Sequence, residues 1–347
     1  MITRISIKYR VMSDETGLFS GLAVLLLSLT AQAQTEVRLA VHKSFSLPPD
    51  VLAQFERKHD AKVSVIKVGS SNEMLNKLIL SRAQPIADAV YGLDNANIGK
   101  ADQSGILAAR QPHSLPADAG LAGALAVNYA YVNINYDKNW FAQRKLPLPQ
   151  SLQDLAKPAY KDLLVVPNPG TSGPGLAFLL ANIGAMSEEN AFEWWAAMRR
   201  NGVKTTNSWS DAYYTAFTLY GGERPLVVSY ATSPAAEVFF SKGKYTTPPS
   251  GNLFLKGGVF RQVEGAAVLS GAREPDLALQ LVRFLQSPEV QRALPAEMWV
   301  YPAVKNTPLP KVFALTQAPA ESDTPGQSAI TLQQKHWVSR WIQTVLK

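Results

Sequence analysis

Seven strand-like runs punctuate the chain: Glu36–Val41, Lys62–Val68, Asp88–Gly92, Ala124–Tyr136, Asp162–Val166, Pro225–Tyr230 and Val259–Leu269, with helix-like segments between most of them. This alternation of strand and helix patterns predicts an α/β fold with largely parallel sheets. At 347 residues the chain is long enough for about two domains. The run from Ala124 is too long for most single strands and is read as crossing from one lobe to another. Val259–Leu269 would make the return crossing. The expected lobes are therefore 34–129 plus 258–290, and 130–257 plus 291–347.

The front of the chain reads as an export signal. Arg4, Lys8 and Arg10 precede the apolar run Leu22–Leu29, and Ala31-Gln32-Ala33 has the small-x-small form of a cleavage site. Removing residues 1–33 takes away three basic and two acidic residues, so the formal net charge falls from +7 to +6. With no cysteine in the sequence, disulfide frameworks and thiolate chemistry are excluded. A periplasmic location is expected. Charged residues make up only 18% of the chain and no Lys/Arg stripe stands out, which argues against nucleic acid.

Two further segments read as scaffold. The helical pattern Asn72–Arg82 puts Met74, Leu75, Leu78 and Ile79 on one face. In Ser187–Arg200, Ser187 is placed to cap, with acids at the start and arginines at the end. Lys305–Gln327 reads as loop. Leu332–Leu346 spaces Trp337, Trp341 and Val345 by four, as in a docked amphipathic helix.

Several strand ends run into small hydroxylic residues. Pro167–Leu180 joins one run to a helix through Thr171-Ser172-Gly173, with Pro174 suited to a first helical turn. Gly69-Ser70-Ser71-Asn72-Glu73 has the spacing of a capping box. Ala231-Thr232-Ser233-Pro234 repeats a hydroxyl before a helix-starting proline, and Val41 leads into His42-Lys43-Ser44. Each of these residues serves ordinary capping equally well. As a set they fit one polar cleft, because ligands of open α/β sheets bind beyond the carboxyl ends of strands, where helix N-termini present unpaired N–H groups. Trp209 and Trp299 sit in polar loops near these junctions, where a flat ring is able to stack on a heterocycle or a cation.

Other chemistries find less support. There is no G-x-x-x-x-G-K-[ST] for ATP hydrolysis, and Pro174 breaks a G-x-S-x-G reading of the turn. His42, His59, His113 and His336 form no metal-ligand pair at short spacing. Tyr213-Tyr214 leaves a ferric-iron reading open. A secreted hydrolase using Ser172 is a further alternative. No cofactor, metal or catalytic group is expected.

In order along the chain, Tyr91–Asn95, Tyr136–Asn139, Pro149–Leu152, Thr171–Leu176, Ser229–Pro234 and Trp299–Pro302 together resemble the periplasmic thiamine-binding proteins of ABC importers. The resemblance spans nearly the whole chain after the signal. It implies a type II, two-lobed periplasmic binding protein, each lobe a mostly parallel sheet flanked by helices. Such a protein closes on a small molecule in an interlobe cleft, acts as a monomer, and delivers the ligand to an inner-membrane permease with a separate ATPase. Position by position, it places the ligand's phosphate side at Ser172 and Gly173, a cleft tryptophan at Trp209, a ligand loop at Tyr230, Ala231, Thr232 and Ser233, and a stacking tryptophan at Trp299. Three positions depart from the family pattern: His42 and Ala236 stand where tyrosines fall, and Ser70, beside Ser71, stands where an acid faces the ligand. The ligand implied is thiamine or a phosphorylated form, with a less cationic or anionic solute, or ferric iron, as the alternative.

Overall fold

The chain is described by a computed structural model that covers residues 34–109, 111, 121 and 123–347. The expected signal segment and His113 lie outside the described residues. Among the described residues ten strands form one continuous sheet: β1 Thr35–Val41, β2 Ala61–Lys67, β3 Ala89–Asp94, β4 Leu125–Asp137, β5 Leu164–Pro167, β6 Lys204–Thr206, β7 Leu226–Tyr230, β8 Ser250–Leu253, β9 Phe260–Val268 and β10 Tyr301–Pro302. Their order is β2-β1-β3-β9-β4-β7-β5-β6, and β8 and β10 add to β4.

The two ends of this sheet are parallel, β2-β1-β3 and β7-β5-β6, as the strand and helix alternation predicts. Its middle is antiparallel: β9 runs against both β3 and β4, and β4 against β7. The expectation of largely parallel sheets therefore holds for the wings and fails at the centre. There the long strands β4 and β9 lie side by side and need no crossover helix between them. The first half of β4, Leu125 to Val132, pairs with β9, and the second half, Val132 to Tyr136, pairs with β7.

Helices cover both faces. Against one wing pack the helices Pro49–His59, Pro275–Phe284 and Pro288–Met298, which bury Phe55, Leu281 and Leu294 with Tyr91; Ser71–Leu80 covers the opposite face with Met74, Leu75 and Leu78. Against the other wing pack Gly173–Met186, Glu188–Arg200 and Gln327–Trp341, which bury Phe178, Trp194, Trp195 and Trp341 in one cluster. Trp337, Trp341 and Val345 are all buried, as their spacing predicts.

Ser187 differs from expectation. It occupies the N-cap position but makes no side-chain cap bond, and its φ of 69° puts it in the left-handed region. It is the single residue joining two helices, so its backbone makes the turn and its side chain is carried off the helix end. The acids that follow serve another purpose: Arg340 Nη1 lies 2.8 Å from Glu188 and Nη2 2.6 Å from Glu189, fastening the C-terminal helix. Among the described residues no helix is long and apolar enough to cross a membrane.

Candidate ligand-binding site

A cavity of about 530 Å³ opens where strand ends of both wings converge. That volume is in the range of sites for drug-sized molecules. Four junctions contribute to its wall: His42, Lys43 and Ser44 after β1; Ser70 and Ser71 after β2; Ser172 and Gly173 after β5; Thr232 and Ser233 after β7. Trp209, Tyr230, Ala236 and Trp299 line it too. Among the residues at these junctions singled out from sequence, Thr171 and Ala231 do not; Thr171 Oγ1 donates to Asn207 O at 2.6 Å. Ala231 is fully buried, its N–H donates to Tyr131 O and its carbonyl accepts from Asn252.

The turns are wired differently from a simple ligand cradle. Gly173 N–H donates to Ser71 Oγ at 3.0 Å, and Asn72 Nδ2 donates to Pro169 O at 3.0 Å, so the start of one helix is tied to the start of another. A Cβ on residue 173 would stand 2.4 Å from Ser71 Oγ, which makes glycine the residue this approach allows. Gly175 is required for a different reason: a Cβ there would meet Pro167 O at 2.3 Å, closing the gap between helix and β5. Glu73 accepts from Ser70 N–H at 2.8 Å in the expected capping box. The Ser70 hydroxyl faces its helix start without a bond of full geometry, and is buried without a firm partner.

Aromatic rings form two groups. Trp209 stacks on Tyr213 at 5.2 Å and 21°, and its indole N–H donates to Ser229 Oγ at 2.8 Å, which in turn lies 3.0 Å from Ser233 Oγ. Tyr230 meets Trp209 edge-on at 5.9 Å. Trp299 stacks on Phe313 at 5.7 Å and 6° and touches Phe239 and Phe240. Its backbone is left-handed, with φ 57°, and its indole N–H is buried with no partner. Thr232 Oγ1 holds the Trp299 carbonyl at 2.6 Å.

The groups that sequence reasoning missed are mostly acids, with Tyr220; Tyr213 and Tyr214 enter it only as ligands of iron. Glu264, on β9, reaches the cavity beside Gln262, and its carboxylate accepts from Tyr91 at 2.6 Å, Asn128 at 3.1 Å and His42 Nε2 at 3.2 Å. Burial pushes this carboxyl up, but the His42 charge and the three donors outweigh burial and hold it below the usual range. Just behind the wall, Asp94 accepts from Gln262 and from the Ala96 and Asn97 N–H groups. Burial, with the Glu264 charge adding, raises Asp94 to about 6. Glu237, Tyr213, Tyr214, Tyr220 and Phe240 complete one corner. The signal available in the sequence was Gln262 and Glu264 interrupting an otherwise apolar strand pattern, on the face that turns inward.

Residues 84–320 match the family of bacterial extracellular solute-binding proteins. The chain belongs to that family. Among relatives of this solute-binding protein, the thiamine-binding periplasmic protein of Escherichia coli K12 is 30% identical over 301 residues, covering 86% of this chain and 88% of the relative. The protein of that name from Brucella melitensis is 30% identical over 342 residues, covering 93% and 96%. Among solved structures, a periplasmic thiamin binding protein superposes with a TM-score of 0.79 at 27% identity, covering 91% of this chain and 98% of its own. Iron-bound HitA from Pseudomonas aeruginosa gives 0.70 at 20% identity, covering 89% and 99%, and shares the fold. The structural neighbours are periplasmic binding proteins of the two-lobed type, which accords with a cavity between the two wings of one solute-binding protein.

Proposed function

We propose that this protein is the periplasmic solute-binding component of an ABC importer, that it binds thiamine or a phosphate ester of thiamine in the 530 Å³ cavity, and that it delivers the ligand as a monomer to a membrane permease driven by a separate ATPase. The relatives' names support the ligand class. The observation that carries the reading to this chain is Glu264. The family resemblance puts a ligand-facing acid at position 70, which is serine here. Glu264 supplies an ionised carboxylate in the same cavity, already oriented by Tyr91, Asn128 and His42. Two carboxylate oxygens offer about four acceptor positions; three are used, which leaves one for the amino group of an aminopyrimidine.

Stacking comes from Trp209, Tyr230 and Trp299, with Ser172, Ser233 and Thr232 at the polar margin. Gly173 N–H is engaged by Ser71 and so is not counted among the ligand's donors. Lys43 lines the cavity, and among the described residues it makes no ion pair, which supports room for a phosphate. Phenolate ligation of ferric iron is less well supported: Tyr213 donates its hydroxyl to Glu237, and burial with the Glu237 charge pushes the Tyr213, Tyr214 and Tyr220 phenols up. A hydrolase is also less well supported, because the cavity's histidine, His42, is paired with Glu264 instead of with Ser172.

Glu264→Gln tests the assignment. A charge-assisted hydrogen bond contributes about 1.5–3 kcal/mol, so thiamine affinity is expected to fall roughly ten- to a hundredfold with the melting transition still cooperative. Unchanged affinity in the folded variant removes Glu264 from the ligand's partners.

A further inference from the structure

The helix Ser233–Phe240 carries Ala236 and Glu237 into one corner of the cavity. At position 236 the family resemblance calls for a stacking tyrosine; the alanine leaves that space open. Around it stand Tyr213, Tyr214 and Tyr220, with mutual ring separations of 5.2, 5.3 and 5.2 Å, and Trp209 stacks on Tyr213. Tyr214 is 53% exposed and Tyr220 42%, so each keeps an open face. Phe240 closes the edge.

Glu237 is only 5% exposed. Its carboxylate accepts from Tyr213 Oη, from Ser250 N–H at 3.1 Å and from Ser250 Oγ at 2.6 Å. Among the described residues no lysine, arginine or histidine lies within ion-pair distance of it. Burial pushes its carboxyl up, and the hydrogen bonds from Ser250 and Tyr213, with a smaller contribution from the Lys138 charge beyond ion-pair distance, only partly offset that. A buried carboxylate without a counter-ion in direct contact is costly, and a cation placed beside it recovers part of that cost. Ring faces attract the same cation through their quadrupoles. Glu264 does not compete for this role, because His42 already stands beside it.

We propose that Glu237, with the open faces of Tyr214 and Tyr220, forms a subsite for a permanently cationic ring, so that the cavity selects its ligand by fixed positive charge. The inference rests on the proposed ligand class, since a thiazolium is such a ring, and it divides the work of two of the three carboxylates that line the cavity: Glu264 takes the amino heterocycle and Glu237 the cation, while Glu297 accepts from Ser46 Oγ at 2.7 Å.

The probes are a matched pair of small molecules that differ by one charge, an N-methylthiazolium and the corresponding neutral thiazole, titrated alongside thiamine while the tryptophan indole N–H signals are followed by NMR. The wild-type protein is expected to bind the thiazolium at least tenfold more tightly than the thiazole. In Glu237→Gln that preference should fall to within about twofold, with thiazole binding unchanged. Glu237 also holds Ser250, so the double variant Tyr214→Leu/Tyr220→Leu provides a second route that leaves those bonds intact; it should lose most of the preference as well. A preference that survives in either folded variant overturns the subsite. Failure of thiamine to bind while the charge preference persists would remove the proposed ligand and leave the subsite standing. Thiamine binding that is indifferent to Glu237 and to the tyrosines would do the opposite.

Discussion

Trp299 shows what a single residue gives up for this site. Its left-handed backbone is a conformation that bulky residues rarely adopt, and its indole N–H is buried with no partner. An unsatisfied buried donor costs about 1–3 kcal/mol, while the ring lines the cavity. Trp299→Phe keeps the stack on Phe313 and removes the donor. Stability by chemical denaturation should rise by up to about 1 kcal/mol while ligand affinity drops severalfold; a variant that loses stability and keeps affinity contradicts this role. Asp94 has its own signature in pH. Its carboxyl is raised from 3.8 to about 6, so between those values the folded protein holds a proton that the unfolded chain has released. Stability therefore falls as pH rises through that window, by roughly 3 kcal/mol at most. Glu264 acts in the opposite sense and at lower pH, since its carboxyl is held below the ordinary range. Asp94→Asn should flatten the fall in a series of melts; equal slopes in variant and wild type would show that Asp94 does not titrate there.

Among elements, the contact that most shapes the cavity is the one between the starts of the helices Ser71–Leu80 and Gly173–Met186. A methyl at residue 173 would press on Ser71 Oγ at 2.4 Å, with Gln262 Nε2 at 3.2 Å behind it. Overpacking of this kind costs about 1–3 kcal/mol. Gly173→Ala should therefore destabilise the protein and weaken ligand binding. Adding Ser71→Ala should recover part of the loss, because the two sites share one contact. Additive effects in the double-mutant cycle would mean that the turns do not press on each other. Much at this scale was legible in the sequence. The strand runs, the capping box at Ser70 and the proline-led helix starts are local signals, and they mark where hydroxyls and N–H groups collect. The destination of those groups was not legible, because whether Gly173 N–H meets a ligand or Ser71 is decided by a neighbour 102 residues away. Glu264 was hidden for a related reason: within a strand, period-2 patterning shows that a charge faces one side, but the partners that make the charge tolerable come from β1, β3 and β4.

For the whole molecule, the parallel wings follow from alternation along the chain, whereas the antiparallel centre depends on how two long strands meet. The Val132 position of β4, paired with Phe260 of β9 and with Tyr230 of β7, is where one wing passes into the other. The cavity lies between the wings, and its chemistry comes from both: Glu264, His42, Ser70 and Ser71 from one, Trp209, Tyr230, Glu237 and Ser172 from the other. No local stretch predicts that combination. Under the proposed function, recognition of thiamine does not depend on an acid at Ser70, since Glu237, Glu264 and Glu297 line the same space. The most direct measurement is calorimetric titration of the protein from Gln34 onward, refolded to remove any carried ligand, with thiamine, thiamine monophosphate and thiamine diphosphate. Binding to at least one of them in the micromolar range or tighter is the predicted result, and the order of the three reports how much Lys43 and the surrounding hydroxyls add. No heat of binding up to millimolar concentrations of all three would contradict the account.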